Sequence, residues 1–200
     1  MPHVVLLGDS IFDNALYVPG EPPVIAQVKS LLPKGGKATL LAKDGAIVAD
    51  VGKQIAGIPS GSSHLVLSVG GNDALGAIEM LAEPVRNVTD ALSILSIIRR
   101  EFQRSYHSIL KQIQVNQKPL AVCTIYEAIP GLSTELQTAL AIFNDTIVRE
   151  ALGVDATIIH LRAICIDAAD FSTVSPIEPS ARGGLKIASA ITSWITSRFT

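Results

Sequence analysis

His3-Val4-Val5-Leu6-Leu7-Gly8-Asp9-Ser10-Ile11-Phe12-Asp13-Asn14 is the stretch on which the fold turns. Its first half is apolar without alternation, and a strand reading this way is covered on both faces, as in a parallel sheet. Its second half switches at Gly8 to turn-forming, hydroxyl- and carboxylate-bearing residues. Outward from it, four more short apolar runs follow: Ala38–Ala42, His64–Val69, Leu120–Ile125 and Ala156–Leu161. Helical spacing fills the gaps between them. Pro23–Leu32 carries Val24, Ile25, Val28 and Leu31-Leu32. Thr89–Val115 carries Leu92, Leu95, Phe102, Tyr106, Ile109 and Ile113 on one stripe. Thr134–Leu152 repeats the pattern, as does Ser180–Phe199 with Leu185, Ile187, Ala188, Ile191 and Ile195. Strand and helix in alternation predict an α/β doubly wound fold around a five-stranded parallel sheet. No repeat or linker divides the chain, so residues 1–200 are expected to form one domain.

Composition narrows the function classes. The chain is 48% apolar, 17% charged and 4% aromatic, so an aliphatic core is expected. A formal net charge of −2 gives no footprint for nucleic acid. No apolar run approaches the ~20 residues of a membrane span. Pro33-Lys34-Gly35-Gly36-Lys37 lacks the Lys-Ser/Thr ending and following helix of a phosphate-binding loop. Met1-Pro2-His3 leads straight into the first strand with no positive n-region, which predicts a cytoplasmic protein with Cys123 and Cys165 as free buried thiols. The Leu92–Ile113 stripe is expected to face the core, with a homo-oligomer face as its alternative use.

Ligands of open parallel sheets bind outside the carboxyl ends of the strands. The polar residues there are Gly8-Asp9-Ser10 after the first run, Asp44-Gly45 after the second and Gly70-Gly71-Asn72-Asp73 after the third. Together they supply what acyl transfer needs. Ser10 offers a hydroxyl at a strand-to-helix turn, and its own N–H, the Gly45 N–H and the Asn72 amide offer three donors to an oxyanion. Asp9 and Asp73 are expected to cap helices or brace these turns. Asn14, Tyr126, Glu127 and Arg162 are expected at the rim or in the scaffold.

With these blocks in order, and Pro179-Ser180 and Gly183-Gly184 before a terminal amphipathic helix, the sequence resembles the SGNH (GDSL-type) hydrolase superfamily over nearly its whole length. The resemblance implies a three-layer α/β/α flavodoxin-like sandwich and a serine esterase, lipase or thioesterase that uses no metal or cofactor. It implies attack by Ser10 on a small acyl ester, with Ser10, Gly45 and Asn72 as the oxyanion hole.

In that family the last block reads Asp-x-x-His, and here it reads Ser175-Pro176-Ile177-Glu178. Glu178 as base makes chemical sense. A histidine needs a carboxylate to fix its tautomer, whereas a carboxylate base needs none, and Ser175 could donate a hydrogen bond to it. An unperturbed glutamate titrates near 4.3, against the 6–7 that suits a serine's base. Burial would raise Glu178 and the helix starting near Ser180 would lower it. His160, at the end of the fifth run with Asp167 and Asp170 following, is the rival base. His3 and His64 lie at the wrong ends of their strands, and His107 sits mid-helix. Without a base, the chain would be a non-catalytic acyl- or carbohydrate-binding module.

Overall fold

The computed structural model describes residues 1–197. In chain order the strands are β1 (His3–Gly8), β2 (Lys37–Leu40), β3 (His64–Ser68), β4 (Leu120–Cys123) and β5 (Thr157–Ile159). The helices are α1 (Val24–Leu31), α2 (Val51–Ile55), α3 (Gly71–Gly76), α4 (Ile78–Leu81), α5 (Val88–Gln114), α6 (Thr134–Leu152), α7 (Leu161–Ile164) and α8 (Ala181–Ser197). All strand pairings are parallel, in the order β2-β1-β3-β4-β5. This is the flavodoxin-like order, whose switch point lies between β1 and β3.

Side-chain alternation along the strands divides the core in two. Val5, Leu7, Leu65, Leu67 and Val122 point to a layer built from α5 and α6. Val4, Leu6, Val66 and Ala121 point to a layer built from α1 and α8. Each fully buried leucine in such a strand contributes roughly 1.5–3 kcal/mol, and helices on both faces bury the central strands β1, β3 and β4, while the edge strand β2 stays partly exposed. The two cysteines are free and buried within these layers.

The strands stop short of the apolar runs that predict them. Ala42, Val69 and Ile125 have already left the sheet for the loops at its carboxyl edge, and the fifth run is split, with Leu161 opening α7. Three residues of the helical patterns, Leu31, Leu92 and Leu185, face outward. Leu92 is 59% exposed and Leu185 49% exposed. At about 100° per residue, Leu185 stands roughly opposite the buried Ile187, and Leu92 falls off the face that carries Ile98, Phe102 and Tyr106. The expected last helix ran to Phe199, which lies outside the described residues. Among the described residues, no helix is long and apolar enough to cross a membrane.

Candidate active site

Backbone constraints at the end of β1 place Ser10. Gly8 has φ +123°, and a Cβ there would lie 1.7 Å from the Ser68 carbonyl oxygen, so only glycine lets β1 and β3 run this close at the switch point. The Gln54 side chain, buried on α2, accepts from the Gly8 N–H at 2.7 Å and donates to the Gly8 carbonyl at 2.8 Å. It gives the Gly8 N–H its acceptor and shares the Gly8 carbonyl with the Lys43 N–H, a role that no pattern in the sequence marks. The chain then turns. Asp9 O accepts from the N–H groups of Phe12 and Asp13, both at 3.2 Å, and Asp9 Oδ1 from the Ile11 N–H at 3.1 Å. No helix follows directly, contrary to the strand-to-helix turn expected for Ser10. A 3-10 turn at Ala15–Tyr17 comes first and α1 only at Val24.

Glu178 reaches the same point from the other end of the chain. Its loop closes on itself through Ser172 N–H to Glu178 O at 2.8 Å, Glu178 N–H to Ser175 O at 3.0 Å and an antiparallel bridge between Phe171 and Pro179. It is fastened to the Ser10 loop by Asn14, which is fully buried. Asn14 Nδ2 donates to Pro179 O at 3.1 Å and Asn14 Oδ1 accepts from the Val24 N–H at 2.9 Å. Tyr126 OH donates to Ile177 O from a third side. Gly183 fixes the base of the loop, since a Cβ there would meet Asp170 O at 2.1 Å.

The result is a direct contact: Ser10 Oγ donates to Glu178 Oε1 at 2.8 Å, with Glu178 only 3% exposed. Glu178 Oε2 is buried and has no partner among the described residues. Ser175 touches Glu178 through its carbonyl, so the expected side-chain hydrogen bond is absent; the turn spends the serine's backbone instead. Burial pushes Glu178 up to about 7; the Ser10 hydroxyl pulls it down and the Asp44 charge adds to the rise. Burial is the largest influence on this carboxyl, and the lowering it meets comes from the Ser10 hydroxyl.

The third block packs beside this pair. Asn72 Nδ2 donates to Ala46 O at 2.9 Å, which orients the amide and leaves its second N–H free to donate. Asp73 does not cap its helix. Its two oxygens accept from the Val48 N–H at 3.3 and 3.1 Å, so it braces the Gly45 loop against α3. The Asp44 N–H donates to Asp13 Oδ2 at 3.1 Å and ties that loop to the Ser10 turn. Burial pushes the Asp9 carboxyl well above the usual range, and the Glu178 and Asp73 charges add to it.

Ser10, Asn72 and Glu178 line one cavity of about 110 Å³ at the carboxyl ends of β3 and β4. Asp9 and Tyr126 line it as well. Gly45, at φ +75°, lines a second groove with Lys43, Asp44 and Lys53, and the next residue, Ala46, accepts from Asn72 at the cavity's edge. Neither the Ser10 N–H nor the Gly45 N–H has an acceptor among the described residues. His160 is exposed at the start of α7, outside the cavity. Three strand spacings, about 14 Å, separate β5 from β1, so the rival base stands away from Ser10. The other histidines are engaged elsewhere: His3 with Thr39, His64 with Ser63 and Trp194, His107 with Glu150. Glu127 pairs with Asn144 and Arg162 outside the cavity.

No model of a known protein family matches the chain, and no curated protein sequence does. Solved structures do match. An extracellular lipase from Streptomyces rimosus aligns with a TM-score of 0.71 at 18% identity, over 96% of this chain and 99% of that one. A phospholipase A1 from Streptomyces albidoflavus aligns at 0.70 and 16% identity, over 96% and 98%. A catalytic mutant of an acetylxylan esterase from Geobacillus stearothermophilus, with a histidine replaced by alanine, aligns at 0.72 and 14% identity, over 96% and 93%. The chain has the α/β fold of these lipases and esterases.

Proposed function

We propose that the chain is a serine ester hydrolase of the SGNH type in which a glutamate takes the place of the family's histidine base. The observation that carries this reading is the 2.8 Å hydrogen bond from Ser10 Oγ to a buried Glu178 carboxyl whose pKa is pushed up to about 7. A base near the working pH combines a useful ionised fraction with the strength to take a serine's proton. In the reaction, Ser10 Oγ forms a bond to the ester carbonyl carbon as its proton passes to Glu178. The oxyanion is held by the Ser10 N–H, the Gly45 N–H and the free Asn72 N–H. The intermediate collapses with cleavage of the bond to the alkoxide, which leaves with the proton from Glu178. Water, deprotonated by Glu178, then attacks the acyl carbon; the bond to Ser10 Oγ breaks, Oγ takes the proton back from Glu178, and the acid is released. The residues that orient a histidine base are unnecessary here, because a carboxylate has no tautomer to fix.

The test is hydrolysis of p-nitrophenyl butyrate together with fluorophosphonate labelling. The native protein is expected to turn over the ester and to carry the label on Ser10, and Ser10→Ala should lose both. Asn72→Ala should lower kcat about 10²–10³-fold, the cost of one oxyanion donor. A native protein that neither turns over esters nor takes the label would instead be a binding module.

A further inference from the structure

We propose that the cavity beside Ser10 is a binding site for a linear acyl chain and that the substrates are esters of short aliphatic acids of about four to six carbons. This rests on the hydrolase reading and adds the substrate class to it. Away from Ser10, Asn72 and Glu178, the walls are mostly apolar: Leu75 and Ile78 on α3 and α4, Leu132 in the loop before α6, and Leu136, Leu140 and Phe143 on α6. These side chains come from two separate stretches of the chain that meet around the cavity. An apolar pocket of this kind takes an apolar guest. On the scale of a ~150 Å³ cavity that holds benzene, about 110 Å³ accommodates roughly four carbons.

The surroundings set the orientation of the ester. On the far side of the Gly45 loop lies a groove lined by Lys43, Asp44, Asp50 and Lys53. A polar alcohol or leaving group suits that side, which opens to water. The aliphatic cavity suits the acyl part. An acetylated sugar finds little to hold it in this cavity. The one tryptophan, Trp194, packs edge-on against His64 at the amino end of β3, the opposite edge of the sheet. Tyr126 lines the cavity, but its hydroxyl is committed to Ile177 O.

The experiment measures kcat/KM for p-nitrophenyl esters from acetate to decanoate, and separately for acetates of alcohols of increasing chain length. Each methylene buried in the cavity is worth about fourfold. Butyrate should therefore exceed acetate about 15-fold, the profile should peak at four to six carbons, and the alcohol series should be flat. Leu136→Trp, at a half-buried wall position, should abolish the preference for butyrate while hydrolysis of acetate persists. Leu140→Ala should move the optimum to longer chains, with folding checked by circular dichroism. An acetate optimum, or a chain-length dependence in the alcohol series instead, overturns the proposal while leaving ester hydrolysis intact. If no ester is turned over, the hydrolase reading fails by itself. The cavity is then tested by titrating 1-hexanol into Ser10→Ala and following amide chemical shifts: saturable shifts at Leu75, Leu136 and Leu140 support it, and their absence overturns it.

Discussion

Asp170 and Glu178 lie in the same loop and are both buried, at 0% and 3% exposure, yet their carboxyl groups are driven in opposite directions. Burial raises Asp170, but Lys186 Nζ at 2.6 Å and the N–H groups of Ile166 and Asp167, both at 3.1 Å, outweigh it and hold the group below its ordinary value. Arg182 adds a second cation at 3.3 Å. Glu178 meets the same burial with a single neutral donor, Ser10, and its pKa rises to about 7. The contrast separates an anchor from the proposed base. Each carboxylate leaves one buried oxygen without a hydrogen bond, so the difference lies in the partners: two cations keep Asp170 charged and structural. A carboxyl that meets only one neutral donor in a buried site can take up a proton at neutral pH.

Replacing each member tests that division. The largest effect expected is on activity: Glu178→Gln should lower kcat/KM for p-nitrophenyl butyrate about 10²–10⁴-fold at pH 8, the usual worth of a general base, with the circular dichroism spectrum unchanged. Asp170→Asn should instead be read in denaturant. It leaves Lys186 and Arg182 without their buried partner and should cost about 2–3 kcal/mol of stability at neutral pH. Because the folded pKa of Asp170 is depressed, that stability is present above the unfolded value and is lost as pH falls through the folded one. The gap between Asp170→Asn and the native protein should therefore close in strong acid. A loss that persists undiminished at low pH would mean that Asp170 acts through packing.

Glu178 has the opposite sign. Its folded pKa of about 7 lies above the ordinary 4.5, so the ionised form costs stability. That cost is absent below about pH 4.5, grows through the interval and is complete above about 7. Glu178→Gln should accordingly be more stable than the native protein at pH 8, by about 1–2 kcal/mol after allowing for solvent screening, and no more stable at pH 4. Urea midpoints at the two pH values would check this, and equal midpoints at both would remove the burial argument. The smallest effect belongs to His160. His160→Ala should change kcat/KM by less than twofold and stability by less than about 0.5 kcal/mol; a large loss of activity would return the rival base to contention.

The parts of this arrangement that were legible in the sequence are those written in local pattern. Unbroken apolar runs marked the parallel strands, and helical spacing gave the bounds of α6 at Thr134–Leu152. The blocks at Ser10, Asn72 and Glu178 followed from their place after strands and before the last helix. What was not legible depends on partners far along the chain. Gln54 bonds Gly8, Asn14 bonds Pro179 and Asp170 bonds Lys186 across the fold, and each looks like an ordinary polar residue until the sheet brings its partner near. The rise of the Glu178 pKa likewise depends on how much water the packed loop excludes. The loop that carries Gly45 is held by Asp13 and Asp73, partners that no local pattern marks.

The central claim, that Glu178 does the work of a histidine base, is met most directly by the pH dependence of kcat/KM for p-nitrophenyl butyrate in the native protein and in Glu178→Gln. The native protein should show an acid limb near pH 7 with activity rising above it, and Glu178→Gln should lose that limb along with most of its activity. An acid limb retained in Glu178→Gln, or activity at pH 8 equal to the native protein's, would contradict it.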